Sequence, residues 1–191
     1  MKYMFKKLLT IVILLSAIFL ISACAKKEIK PAGGIISQPN ININNMQITS
    51  PQFEHNGYLP DKYGCQGTNI NPPLTISDLP KDAKSLALIV DDPDAPRGVW
   101  THWVVFNIAP DAKEISEGSV PAGATQGIND FGKTNYGEPC PPFGEHRYFF
   151  KLYALDTMLD LDSKTTKQNL EQAMAGHVLA QAEIIGLFSR K

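Results

Sequence analysis

The chain has 191 residues, of which 43% are hydrophobic and 19% are charged. This apolar fraction can fill a core and excludes a wholly disordered chain, while the 14 prolines argue against an all-helical bundle. The 18 basic and 19 acidic residues nearly cancel, so the chain lacks the basic excess that nucleic-acid binding requires. The length suits one domain with a small additional segment.

Residues 1–23 have the pattern of a secretion signal. Three lysines precede an apolar run from Leu8 to Ile21, whose 14 residues are few for a membrane-spanning helix and typical of a signal peptide. The sequence Ile21-Ser22-Ala23-Cys24 resembles the lipobox of bacterial lipoproteins. It predicts a lipidated Cys24 and a mature chain anchored to a bacterial membrane outside the cytoplasm. An uncleaved N-terminal anchor helix is the alternative, with the domain on the same side.

Residues 24–43 are predicted to be a flexible tether between this anchor and a folded domain over residues 44–191. The tether contains Pro31, Gly33-Gly34, Pro39 and several asparagines, without a hydrophobic period. A partner-binding segment is the alternative interpretation.

The chain contains three cysteines, and lipidation would use Cys24. Cys65 and Cys140 remain as an even pair in an oxidising compartment, which predicts a disulfide between them. Two buried free thiols are the alternative.

The remaining chain is rich in β-strand patterns. Short strands are predicted over residues 46–53 and 74–76. Residues 85–91 form a continuous apolar run, which is typical of a central strand buried on both faces. The aromatic and β-branched segments 100–108 and 146–155 predict two more central strands.

The C-terminal part combines loop, helix and strand patterns. Residues 117–142 are rich in Gly, Asn and Pro and predict a long loop, which in a compact domain is usually functional. A helix is predicted over residues 165–174, ending before Gly176. Residues 178–189 predict a last strand, whose first half can also be helical. This order predicts a mainly β domain of antiparallel sheets with one or two flanking helices near the C-terminus.

Two polar clusters carry the chemistry. Acidic residues alternate with prolines over Asp91–Pro96, and the prolines hold them at the end of a buried strand. In the strand that follows, Trp100 and His102 share a face. His146 and Tyr148 share a face of the later strand, while the intervening arginine points the other way toward an acidic partner. If these two strands are neighbours, both clusters converge on one mouth, although each residue alone also fits a structural role.

The same residues resemble a known family. The segments Asp92–Pro96, Trp100–His102 and Pro141–Tyr148 resemble the signature blocks of the phosphatidylethanolamine-binding protein family. Cys65–Leu74 and Gly176–Val178 are similar to its bacterial Raf-kinase-inhibitor-like branch. The resemblance covers roughly residues 46–190, with Asn71 where many members have serine.

The resemblance implies a two-sheet antiparallel β-sandwich with flanking helix and a small pocket for phosphate-like anions. The carboxylates are expected to orient the imidazoles and to favour their charged form. The residues expected to bind the ligand are Asp92, Asp94, Trp100, His102, Cys140 through its backbone N–H, Pro141, His146 and Tyr148.

The favoured function is therefore the binding of a small anion or phospholipid head group, without catalysis and without a cofactor. One alternative is an inhibitor or regulator of an envelope or host protease or kinase that acts through the pocket rim. Another is a hydrolase that uses the Asp and His residues as metal ligands, but no metal-ligand or nucleophile motif supports it. An unidentified protein partner and a homodimer are further options.

Overall fold

The structure is a computed structural model that describes residues 45–191. The predicted signal peptide, the lipidation site Cys24 and the tether lie outside the described residues. The described range contains nine strands, one short 3-10 helix and one α-helix. The strands are β1 (Gln47–Thr49), β2 (Gly57–Tyr58), β3 (Leu74–Ser77), β4 (Ser85–Asp92), β5 (Trp100–Ile108), β6 (Glu114–Ile115), β7 (Thr125–Gln126), β8 (Glu145–Leu155) and β9 (Val178–Ser189). The 3-10 helix is Asp61–Tyr63, and the α-helix α1 is Lys167–Met174.

The strands form two sheets. The larger has the order β2-β9-β8-β4-β5-β7, and the smaller has the order β1-β3-β6. All pairings are antiparallel except that of β2, which runs parallel to the end of β9. The predicted mainly β, two-sheet fold is confirmed, with this short parallel pairing as a local departure.

Strand β4 lies in the middle of the larger sheet and is buried along its whole length. Leu86, Leu88 and Val90 pack in the core that includes the smaller sheet, while Ala87 and Ile89 pack in the core beneath α1. Because side chains alternate along a strand, a strand covered on both faces needs apolar residues at every position. This explains the uninterrupted apolar run in the sequence.

Helix α1 has clear start and stop signals. A capping box joins Thr166 and Asn169 at its beginning, and Leu170 and Met174 bury its inner face. Gly176 follows the helix with a φ of +83°, a conformation that glycine adopts easily. The single described helix agrees with the prediction. The helical alternative for the start of β9 is wrong, because this segment pairs with β8 from its first residue.

Three details differ from the predicted elements. The first strand ends at Thr49 rather than at Phe53, because Pro51 has no N–H to donate to a neighbouring strand. The long loop over residues 117–142 contains the short strand β7, which pairs with β5. Strands β5 and β8 are not neighbours, because the fully buried β4 lies between them.

The pairing of β4 with β5 contains a bulge beside the predicted site. On either side of it, Asp91 pairs with Thr101 and Val90 pairs with Trp103. His102 is therefore an extra residue without a partner on β4. Because of the bulge, Trp103 packs in the core between the sheets, while His102 lines the cavity at the end of the larger sheet.

Within the described range, none of the helices has both the length and the apolar character needed to span a membrane.

Candidate functional site

A cavity of about 270 Å³ lies at the end of the larger sheet, where β4 ends and β5 and β8 begin. Polar, aromatic and proline side chains form its wall. The lining residues are Asp92, Ala95, Pro96, Arg97, Trp100, His102, Phe131, Glu138, Cys140, Pro141, Pro142, His146 and Tyr148.

Seven of the eight predicted ligand-binding residues lie in this wall. They come from three strands and one loop, in two segments that are far apart in sequence, as the two clusters predict. The exception is Asp94, which does not line the cavity.

Asp92 and His146 form a buried pair at the back of the cavity. The imidazole Nδ1 lies 2.7 Å from the Asp92 Oδ2 atom, and both side chains are almost completely buried. The other carboxylate oxygen, Oδ1, accepts the backbone N–H of Asp94 at 2.8 Å. Asp92 therefore holds the imidazole in place, which is the role predicted for the carboxylates, and it also closes a turn.

Asp94 faces Arg147 instead of the cavity. Its carboxylate accepts two hydrogen bonds from the guanidinium, at 2.7 and 2.8 Å, and one from the Arg147 backbone at 3.0 Å. The hydrogen bonds from Arg147 lower the pKa of Asp94 to about 2. The ion pair predicted for this arginine is confirmed, and it ties the loop after β4 to the start of β8.

His102 is held by the loop before β8. Its Nδ1 lies 2.8 Å from the carbonyl oxygen of Gly137, whose N–H in turn donates to the His102 carbonyl. Burial lowers the pKa of His102, and this effect outweighs the raising effects of the Gly137 hydrogen bond and of Asp92. The neutral imidazole is therefore favoured here, in contrast to the charged form that the sequence analysis expects.

Aromatic rings fix the remaining shape of the cavity. The ring of Tyr148 packs edge-on against His102 at 5.1 Å, and Phe131 packs against the same imidazole at 5.4 Å and against Trp100 at 5.5 Å. Burial, with a further contribution from Asp92, raises the pKa of Tyr148. Its hydroxyl is therefore protonated throughout the physiological range and can donate a hydrogen bond.

A disulfide fixes Cys140 in the cavity wall. Cys65 and Cys140 are bonded, with their Cα atoms 5.3 Å apart, which confirms the predicted pairing. The N–H of Cys65 also donates to the carbonyl of Pro139 at 3.0 Å. The segment that carries Cys140 and Pro141 is thus fixed to the segment after the 3-10 helix.

Several wall residues were not predicted, of which Arg97, Phe131 and Glu138 bear the most on the chemistry. Phe131 and Glu138 lie in the long loop that the sequence marks as functional only as a whole. One local signal is Gly137, where a Cβ atom would lie 2.5 Å from a Phe131 ring carbon. The ring can occupy the cavity wall only because that position is glycine.

Asp91 belongs to the opposite face of the sheet. Its buried carboxylate forms ion pairs with Lys151 of β8 and Lys167 of α1. It thus anchors the helix and takes no part in the cavity wall.

Among residues 45–191, no three His, Cys, Asp or Glu side chains form a group suited to a metal ion.

Comparisons with known proteins agree with this architecture. The family of phosphatidylethanolamine-binding proteins matches residues 49–189. A protein named UPF0098 from Methanothermobacter thermautotrophicus is 52% identical over 150 residues, which cover 76% of this chain and 99% of the relative. Neither name denotes an enzymatic activity.

Solved structures show the same fold. A homologue of phosphatidylethanolamine-binding protein from Chlamydia trachomatis is 45% identical, with a TM-score of 0.75 over 78% of this chain and 99% of the homologue. The E. coli protein YbcL, described as a member of the mammalian PEBP family, is 34% identical, with a TM-score of 0.72 over 76% of this chain and 99% of YbcL. The family match over most of the chain, together with the shared fold, shows that this protein belongs to the phosphatidylethanolamine-binding protein family.

Proposed function

We propose that the chain is an exported, lipid-anchored protein that binds a small anion of the phosphate or phospholipid head-group type, without catalysis. The observation that carries this proposal is the arrangement of the two cavity imidazoles. Each has its Nδ1 engaged by an acceptor, and neither Nε2 has a hydrogen-bond partner among the described residues.

The acceptors determine which nitrogen carries the proton. The carbonyl of Gly137 and the carboxylate of Asp92 can only accept hydrogen bonds, so His102 and His146 each carry a hydrogen on Nδ1. In the neutral ring, Nε2 is then an acceptor, and after protonation it becomes a charged donor. In the charged form, each ring therefore presents an Nε2–H to the ligand.

Two further donors support an anionic ligand. Arg97 lines the cavity, and the protonated hydroxyl of Tyr148 can donate. The Asp92 carboxylate is already engaged by His146 and by a backbone N–H, so its negative charge is partly compensated. Glu138 in the same wall suits a ligand that also carries a positive group, such as the ammonium of a head group.

The rim of the cavity favours a ligand presented at a lipid surface. Val99, Phe131 and Phe143 are exposed apolar side chains in the segments that form the wall, and 71% of Phe143 is accessible to solvent. Exposed apolar patches often mark contacts with a membrane or with another protein. With the predicted anchor at Cys24, this rim supports a head group as ligand. The same patch favours, as a second candidate function, docking on an envelope or host enzyme.

Titration calorimetry with sulfate, phosphate and phosphoethanolamine between pH about 5 and 8 tests the anion site. We expect affinity to rise as the pH falls, because binding then requires less work to protonate the buried His102. Sulfate keeps its double charge throughout this range and so separates titration of the protein from titration of the ligand.

His102→Ala and His146→Ala should each weaken sulfate binding by about tenfold or more, as expected for lost charge-assisted hydrogen bonds. His177→Ala is the matched control, because His177 is exposed and pairs with Asp156 away from the cavity. Sulfate affinity that is flat across the pH range, or equal losses in all three variants, would refute the proposal.

A further inference from the structure

A second cavity, of about 160 Å³, borders Trp103 and Tyr136. Trp103 directly follows His102 in the chain, and Tyr136 directly precedes Gly137, so the same two segments border both cavities. The two rings meet edge-on at 5.8 Å. The lining residues are Asn69, Ile70, Asn71, Trp103, Gly118, Ser119, Val120, Gln126, Asn135 and Tyr136.

The wall of this cavity is polar and uncharged. Four of its ten side chains are amides, and none of the lining residues in the described part of the chain is charged. The anion cavity, in contrast, contains carboxylates, imidazoles and a guanidinium. A charged ligand would lose its hydration here without gaining an opposite charge, so the wall selects for a neutral polar ligand.

The amides have hydrogen-bonding capacity that the protein does not use. Asn71 is 4% exposed, and its Nδ2 donates to the carbonyls of Ser116 at 3.0 Å and Pro72 at 3.2 Å. Its Oδ1 accepts no hydrogen bond from the described residues. Asn69 offers its Nδ2, which has no hydrogen-bond partner within this range, whereas its Oδ1 is also unpartnered but is screened from solvent and so out of a ligand's reach.

Further donor groups are available beside the Asn71 acceptor. Gln126 uses its Oε1 atom to accept the Trp103 indole N–H at 2.7 Å, which leaves the two N–H groups of its amide unpaired by described residues. Acceptors and donors therefore line one cavity, which matches a ligand whose hydroxyl groups both donate and accept.

The size of the cavity limits the ligand. Its volume equals that of about five water molecules at about 30 Å³ each, which is below the usual range for drug-sized ligands. One sugar ring or a smaller polyol is of this size, whereas a lipid chain is not.

We propose that this second cavity is a binding site for a neutral polyhydroxylated ligand, such as one sugar unit. The inference is independent of the proposed anion site, because it rests on different side chains. Asn69, Asn71 and Gln126 would hydrogen-bond the hydroxyl groups, and Trp103 and Tyr136 would form the apolar floor.

The two tryptophans allow a direct test, because Trp100 lines the anion cavity and Trp103 lines this one. The chain contains no other tryptophan. In full-length Trp100→Phe protein, tryptophan emission therefore comes only from Trp103, which borders the second cavity. We expect D-glucose or N-acetyl-D-glucosamine to change this emission in a saturable way, while sulfate at equal concentration does not.

Asn69→Gly should weaken the sugar response by about five- to tenfold, the equivalent of one lost hydrogen bond. Asn69 has a φ of +51°, which glycine adopts without strain. Asn56→Gly is the matched control, because Asn56 has a φ of +62° and lies outside both cavities. Both asparagine variants are made in the Trp100→Phe protein, and the sugar response of the Asn56→Gly variant should equal that of this parent.

Two results would overturn the inference. No saturable response to either sugar at concentrations well above the millimolar range would mean that the cavity holds ordered water only. An unchanged sugar response in Asn69→Gly protein with an unchanged melting temperature would place the sugar elsewhere.

Discussion

Asp92 and Asp94 are two positions apart in the sequence and have different roles in the structure. Asp92 points into the cavity wall and orients His146, whereas Asp94 turns outward to Arg147. The proline between them and the hydrogen bond from the Asp94 N–H to Asp92 hold the two carboxylates apart. Asp94 thus contributes to the site through the position of β8 and not through contact with a ligand.

The Asp94 ion pair predicts an acid-sensitive contribution to stability. The pKa of Asp94 is lowered from 3.8 to about 2, so its contribution is complete above pH about 4 and is lost as the pH falls through about 2. A shift of this size equals about 2 kcal/mol, and solvent screening of the half-exposed pair reduces it to about 1 kcal/mol. Asp94→Asn should lower the free energy of unfolding by that amount at neutral pH.

Urea unfolding at a series of pH values measures this difference, which should shrink toward zero below pH about 4. Asp82→Asn is the control, because Asp82 is exposed and forms no ion pair with a described residue. If the deficit of the Asp94→Asn protein persists unchanged at the lowest pH, the ion pair does not account for it.

At the level of elements, the disulfide connects two loop segments that belong to neither sheet. It links the segment after the 3-10 helix to the segment before β8, with 75 positions between the two cysteines. The Tyr136 hydroxyl adds a hydrogen bond of 3.3 Å to the carbonyl of Tyr63 in the same region. These loops border both cavities, so their fixation determines the shape of each wall.

Removing the disulfide should therefore cost substantial stability. For a closed loop of this length, Cys65→Ser with Cys140→Ser should lower the free energy of unfolding by about 2–4 kcal/mol. Denaturant unfolding measures the loss, and the parent protein under reducing conditions should behave like the double variant. Cys24→Ser is the matched control and should leave domain stability unchanged. An equal loss in that control, or none in the double variant, would contradict the structural role of the bond.

At the scale of the whole molecule, we expect the proposed anchor and the apolar rim to act together. The predicted tether of residues 24–43 can span at most about 70 Å. A domain of this size is roughly 40 Å across, so the tether is long enough for the cavity to face the membrane that carries the anchor. The rim side chains would then enter the interfacial region while a head group occupies the cavity.

This arrangement predicts weak membrane binding that does not require the lipid anchor. Unacylated Cys24→Ser protein should cosediment with vesicles of phosphatidylethanolamine and phosphatidylglycerol. A further Phe143→Ser change should reduce the bound fraction by about fivefold, equivalent to roughly 1 kcal/mol of partial aromatic burial.

Met158→Ser provides the comparison, because Met158 is also exposed but follows the other end of β8, away from the segments that form the cavity rim. Binding that falls equally in both variants would indicate a non-specific apolar effect. Binding that responds to neither would favour the protein-docking candidate.

Local patterns were sufficient to locate most strands, the helix and the polar clusters. Alternation and apolar runs reflect which faces of a strand are buried, and this information is present in a few adjacent residues. The apolar run of β4 and the stop at Gly176 are therefore predictable from the chain alone. With Cys24 predicted to be lipidated, the number of cysteines also favours the pairing of Cys65 with Cys140, but it leaves two free thiols open, and only the structure brings the two residues together.

Long-range packing decided the rest. The placement of β4 between β5 and β8 depends on hydrogen bonds between distant segments, which no local pattern encodes. The bulge at His102 places this residue and Trp103 beside two different cavities, whereas simple alternation would put them on opposite faces. Asp94 turns to Arg147 because of a partner that is remote in sequence. In the same way, burial by distant segments lowers the pKa of His102, and no local pattern contains this information.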